Sequence, residues 1–161
     1  AAMRDAAERL GYRAEILTRQ LVGEARLAGE QLAKRTLVVG DCLLAGGETT
    51  VTVRGKTGQG GRNQEVVLAA LPHLTEGTVL VAVASDGWDN SDVAVAIGDA
   101  ALFRSARARG LVPADFLRDN NSYRFFASAG GHLVTGQLES NVSDLFLLLH
   151  GRQGPTTDSV V

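Results

Sequence analysis

One cysteine, Cys42, stands among 161 residues, so no disulfide can form within the chain. It sits in an apolar run, where a packed and inert thiol is expected rather than a nucleophile. Scarce cysteine fits a reducing compartment. The start shows no basic segment followed by an apolar one, which makes a cytoplasmic location the expectation. No apolar stretch approaches the ~18 residues that would suggest a membrane span. Charge of one sign is lacking as well. Sixteen basic residues stand against 18 acidic ones, a formal net charge of −2, so neither nucleic acid nor an anionic membrane is an expected partner. The three histidines, His73, His132 and His150, have no partner at metal-ligand spacing. Ser85 lies outside any G-x-S-x-G elbow, so a hydrolase triad has no support.

What is present suits one domain. The length allows a single core, and 45% hydrophobic with 21% charged residues is the balance of a globular protein. Nineteen glycines fall at turns and element ends rather than in a repeat. Ala1 opens inside a helical pattern without an initiator Met, so the chain is expected to begin within a longer protein. Residues 1–9 are helix-prone and stop at Gly11. Residues 13–18 predict a short strand. Leu21, Val22, Ala25, Ala28 and Leu32 recur at helical spacing and predict a helix over 19–35. Residues 42–45 predict a strand ending at Gly46-Gly47, and residues 49–54 a second one. A helix is expected over 62–73 and a strand covered on both faces over 78–84. A helix over 97–109 should stop at Gly110, with Arg104, Arg107 and Arg109 on a solvated face. Asn120-Asn121-Ser122 can cap a short helix carrying Tyr123, Phe125 and Phe126. Residues 132–135 and 145–149 predict the last strands. The fold class is α/β, a three-layer sandwich with a mostly parallel or mixed sheet, forming one domain over 1–150 with a flexible tail at 151–161.

Two loops can carry chemistry. Gly55-Lys56-Thr57 invites a P-loop reading, but Thr50 stands where that motif needs glycine, and more glycines follow instead of a helix. A dinucleotide fingerprint starting at Gly58 and Gly60 fails at Asn63. What remains is a glycine run, including Gly60 and Gly61, that ends at a helix start. There, backbone N–H groups and the helix dipole favour an anion, and Lys56 and Arg62 could add charge-assisted bonds. The same residues suit a hairpin tip with two solvated cations, and spacing leaves both readings open. In the second loop, Asp86, Asp89 and Asp92 follow the end of the 78–84 strand, where open α/β sheets bind ligands. Asp86 and Asp89 suit a magnesium or catalytic role, whereas Asp92 equally suits a helix cap. Asp99 is expected on the surface.

Three segments together resemble the MOFRL domain, the C-terminal part of class II glycerate kinases, a family also labelled hydroxypyruvate reductases. They are GGETTVTVRGKTGQGGRNQE over 46–65, ASDGWDNSDVAVAIGD over 84–99 and NNSYRFFASAGGHLVTGQLESNVSDL over 120–145. The resemblance implies ATP-dependent phosphorylation of D-glycerate at its 2-hydroxyl with Mg²⁺, in a cleft shared with an N-terminal Rossmann-like domain. It carries Glu48, Lys56, Gly60, Gly61, Arg62, Asn63 and Gln64 over as substrate- or phosphate-binding residues. It carries Asp86 and Asp89 over as catalytic, with Asp86 also as metal ligand. The chain departs from the family pattern at Asn90, which stands for a glycine, at Val95, which stands for a small residue, and at Asn121, which replaces a frequent acidic residue. A homodimer is compatible with the pattern. Two other readings stay open: a hydroxypyruvate reductase domain, and a stand-alone module that binds a small anion without catalysis.

Overall fold

The computed structural model describes residues 1–55 and 58–151. Lys56 and residues 152–161 of the expected tail lie outside it. Helix α1 (Ala2–Arg9) leads into β1 (Arg13–Glu24), α2 (Ala25–Ala33) and β2 (Asp41–Thr50). Helix α3 (Arg62–Ala70) tightens into a 3₁₀ turn (Leu71–His73) and is followed by β3 (Thr78–Ala84) and β4 (Val93–Asp99). Then come α4 (Ala100–Ala108), α5 (Pro113–Arg118), α6 (Ser122–Ala129), β5 (His132–Val134) and β6 (Asp144–His150). Among the described residues no helix is long and apolar enough to cross a membrane.

The six strands form one mixed sheet in the order β1-β2-β6-β3-β4-β5. Only β1 and β2 run parallel; every other pairing is antiparallel. The main core lies between one face of this sheet and helices α2, α3 and α6, with Phe125, Phe126, Phe146, Leu68 and Leu80 fully buried. Among the described residues, the other face carries α1, packed through Ala7 and Met3 on Cys42 and Leu44. The strand over 78–84 is therefore not covered equally on both sides. Leu80, Ala82 and Ala84 are buried, whereas Val79, Val81 and Val83 are only half-buried.

Three local expectations give way to tertiary pairing. The helix expected from residue 19 starts only at Ala25, because residues 21–24 pair in register with 47–50 as a continuation of β1. Leu21 and Val22 fit helical spacing, but strand pairing wins. Gly46-Gly47 does not end a strand; β2 runs through it. A side chain at Gly47 would lie 2.2 Å from the Leu21 carbonyl oxygen, so glycine permits the close strand approach. The helix expected from residue 97 starts at Ala100, since residues 93–99 form β4. Asp99 is not a bare surface residue: its Oδ1 accepts from the Leu102 amide at 2.6 Å and caps α4.

Gly29 shows how tightly the helical layer is packed. A Cβ there would lie 2.0 Å from the Val66 backbone oxygen, so α2 and α3 meet backbone to backbone. Gly29→Ala should lower the unfolding free energy by about 1–3 kcal/mol in urea titrations, even though alanine is the better helix former. A variant as stable as the parent would show that the two helices are free to separate.

Candidate functional site

The end of β2, the glycine segment before α3, the turn between β3 and β4, and the turn between α5 and α6 converge around a hollow of about 690 Å³. Its lining includes Glu48, Thr49, Gly60, Arg62, Trp88 and Asp89. A neighbouring hollow of about 440 Å³ shares Gly58, Trp88 and Asn90 and adds Tyr123, Ser91 and Asp92.

The N-terminus of α3 already holds an anion, and it belongs to the protein. Asp89, 4% exposed, accepts from the backbone amides of Asn63 at 3.0 Å and Gln64 at 2.9 Å. It also accepts from Asn63 Nδ2 at 3.3 Å and Gln64 Nε2 at 3.1 Å. The helix dipole and the first-turn N–H groups favour a carboxylate at this point. Burial pushes the Asp89 carboxyl up from its ordinary value, and the nearby Asp144 charge adds to that, while the amide donors pull the other way. A side chain at Gly61 would lie 2.1 Å from the Asp89 carbonyl oxygen, so this glycine makes room for the carboxylate-bearing turn. Asn90 follows in the left-handed region, φ 51°, and its Nδ2 donates to the Gly60 carbonyl at 3.0 Å.

Arg62, the first residue of α3, is held by a second buried carboxylate. Asp144, 1% exposed at the start of β6, accepts from Arg62 Nε at 2.5 Å and Nη2 at 3.2 Å, and from Asn63 Nδ2 at 3.0 Å. This fork pins the guanidinium and raises the Arg62 pKa further, led by the Asp144 bond. The remaining nitrogen, Nη1, faces Glu48 Oε1 at 3.1 Å, and the Glu48 side chain is 64% exposed. Arg62 is thus not a solvated cation on a hairpin tip.

The glycine segment is docked on both sides of residues 56–57. Asn120, in the left-handed region at φ 50°, accepts through Oδ1 from the amides of Arg54 at 2.6 Å and Gly55 at 3.1 Å. Its Nδ2 donates to Glu65 Oε1 at 2.8 Å, and the buried Glu65 carboxylate also takes Arg26 Nε at 2.9 Å. The Gln59 amide donates to Asn121 Oδ1 at 3.3 Å, and Tyr123 N returns a bond to the Gln59 carbonyl at 2.9 Å. Side chains at Gly55 and Gly58 would collide with the Asp119 carbonyl, and one at Gly60 with Ser122 Oγ. The glycines allow this packing of backbone on backbone.

The structure therefore brings Glu48, Gly60, Gly61, Arg62, Asn63, Gln64 and Asp89 together. Asp86 stands apart. Its Oδ1 accepts from the Trp88 amide at 3.0 Å within the turn, and it is not among the residues lining the hollow. Among the described residues no group of three His, Cys, Asp or Glu side chains is placed to hold a metal ion. Asp92 precedes a strand, so it has no helix to cap. Sequence reasoning missed Asp144, Glu65, Asn120 and Arg26 as determinants of this region. Asp144 had a signal: in DLFLLLH it shares the inward phase with Phe146 and Leu148, an unusual place for a charge unless it is paired.

The geometry describes an α/β domain that presents an arginine, fixed by a buried carboxylate, in the lining of an open hollow. The chain belongs to the MOFRL family, whose pattern matches residues 41–144. It is 38% identical over 153 residues to the D-glycerate 2-kinase of Thermotoga maritima, covering 88% of this chain and 36% of that protein. Against the glycerate 2-kinase of Pyrococcus horikoshii it is 36% identical over 154 residues, covering 89% of this chain and 35% of that protein. A crystal structure of glycerate kinase from Thermotoga maritima superposes with a TM-score of 0.86 at 38% identity, over 91% of this chain and 38% of that one. A crystal structure of a Pyrococcus horikoshii OT3 protein gives 0.88 at 34% identity, over 94% and 37%. The chain spans just over a third of the length of these two kinases.

Removing Asp144 strands a buried guanidinium edge and the Asn63 amide group. Asp144→Ala should cost about 1–3 kcal/mol of stability, less than a fully buried pair would, because the other end of Arg62 reaches solvent. Glu48→Ala, at an exposed position, should change stability by under about 0.5 kcal/mol. Equal losses for the two in urea unfolding would mean that Asp144 does not anchor the α3 terminus.

Proposed function

We propose that this domain forms one wall of the active site of a glycerate kinase. The reaction is ATP-dependent phosphorylation of D-glycerate at the 2-hydroxyl, in a cleft completed by an N-terminal Rossmann-like domain. The observation that carries the reading is the Arg62 guanidinium. Two of its nitrogens are fixed on buried Asp144, and the third is turned toward a hollow beside Glu48, in a domain whose relatives are named glycerate kinases. A pre-oriented cation on an open cleft suits an anionic substrate, because the ordering cost is met before the ligand arrives.

The donor set fits the phosphates of ATP in part. Arg62 supplies the described cation, and Lys56 is proposed to supply a second. Gly60 and Gly61 let the segment pack against Ser122 and Asp89, while Asn63 and Gln64 serve by holding Asp89. In this reading Asp89 acts at one remove, by ordering the start of α3. Mg²⁺ usually takes only one or two protein carboxylates and draws its other ligands from phosphate and water. Asp86 is proposed as that carboxylate, since one of its oxygens is engaged by the Trp88 amide and the other takes no hydrogen bond among the described residues. The metal would screen phosphate charge. A cytoplasmic location and a homodimeric assembly belong to the same proposal.

The full-length protein should consume ATP with D-glycerate and leave NADH absorbance unchanged with hydroxypyruvate. Steady NADH oxidation without a coupling enzyme would overturn the kinase reading in favour of a reductase. Arg62→Lys keeps the charge but loses the fork, and should raise KM for glycerate or ATP by about tenfold or more. Unchanged constants for both substrates would remove Arg62 from the site.

A further inference from the structure

Phosphoryl transfer to an alcohol needs a group that accepts the hydroxyl proton and orients its oxygen. The hollow beside Arg62 has three lining carboxylates among the described residues: Glu48, Glu65 and Asp89. Two of them are committed elsewhere. Glu65 is 2% exposed and bound by Arg26 and Asn120. Asp89 is 4% exposed and has both oxygens occupied by N–H donors of Asn63 and Gln64. Among the described residues, Glu48 is the lining carboxylate whose side chain is largely exposed, at 64%, and its described charged partner is Arg62 Nη1 at 3.1 Å. Asp86 is not part of this lining.

We propose that Glu48 is the group that accepts the substrate hydroxyl proton. The inference rests on the kinase reading above and names the residue that performs its central proton transfer. A 2-hydroxy acid carries a carboxylate and a hydroxyl on adjacent carbons. The Arg62–Glu48 pair offers a cation and an anion in contact, which is the complementary arrangement. The substrate carboxylate takes Arg62 Nη1, and the hydroxyl donates to a Glu48 oxygen. The hydroxyl oxygen then forms its bond to the γ-phosphorus of ATP as the bond from that phosphorus to the bridging oxygen breaks. ADP leaves with the electron pair of the broken bond, the proton passes to Glu48, and nothing is oxidised or reduced. Asp144 prepares the pair by keeping Arg62 from swinging away, and the open position of Glu48 lets it exchange one Arg62 contact for the substrate.

The test uses the full-length protein with D-glycerate and ATP. Glu48→Gln keeps the size and polarity of the side chain but cannot take a proton. It should lower kcat by about a hundredfold or more, while KM and the calorimetric affinity for D-glycerate stay within about threefold. Glu48→Asp should recover part of the lost kcat, and urea unfolding should be unchanged in both, so that a fall in rate is not a fall in folded protein. If Glu48→Gln retains kcat within about threefold, the assignment is overturned. It is equally overturned if KM falls while kcat holds, which would mean that Glu48 only competes with substrate for Arg62. A parent protein that cannot phosphorylate glycerate overturns the kinase reading itself. An active parent with an equally active Glu48→Gln overturns only the role of Glu48.

Discussion

Two buried carboxylates at the start of one helix organise this domain. Asp89 closes the N-terminus of α3 from the β3–β4 turn, and Asp144 reaches the same turn of helix from β6. Asn63 bridges them by donating to both. Each carboxylate is costly to bury alone, and each is supported by N–H groups the helix would otherwise leave unpaired or by the Arg62 fork. The consequence is a rigid junction of helix, turn and strand. Arg62 leaves that junction with one guanidinium nitrogen facing the cleft, so the site's cation is oriented by the same contacts that hold the fold.

The glycine segment looks in sequence like a backbone cradle for a ligand anion, and its chemistry in the structure is different. Its glycines lie where side chains would meet the backbone or side chains of residues 119–122 and of Asp89. The two α3 amides that were candidates for ligand phosphate are given to Asp89. Under the proposed function, recognition of a substrate anion would fall to side chains that line the hollow. Among the described residues, Arg62 has the clearest geometry for it.

How much of this was legible follows from the range of each interaction. β3 and the start of α3 were readable because apolar continuity and a glycine-to-helix transition are local signals. The residues from Glu48 to Gln64 were singled out through family resemblance; Glu48, Gly60, Gly61 and Arg62 line the hollow, whereas Asn63 and Gln64 do not, and Lys56 lies outside the described residues. The course of β1 through residues 19–24, of β2 through Gly46-Gly47 and of β4 through Ile97 was not. Each is decided by a ladder partner far along the chain. The sheet is mixed, with one parallel pair, because β6 returns antiparallel between β2 and β3, a matter of topology that composition does not encode. Asp144 and Asn120 were missed for the same reason: their partners lie 82 and 66 positions away.

The place of β6 has a consequence for the order of assembly. β1 and β2 pair with each other, and β3, β4 and β5 pair in a row, and among the described strands the two groups meet only through β6. β6 follows the other described strands in sequence, so the two halves of the sheet are joined only once it has been added. The closing step joins residues more than a hundred positions apart, since Cys42 pairs with Leu149. Such long-range closure is slow, because loop entropy is lost before the contacts form. The first residue of that late strand is Asp144, so the carboxylate that aims Arg62 arrives with the strand that completes the sheet. Arg62 is therefore held in its orientation only once β6 has joined the sheet.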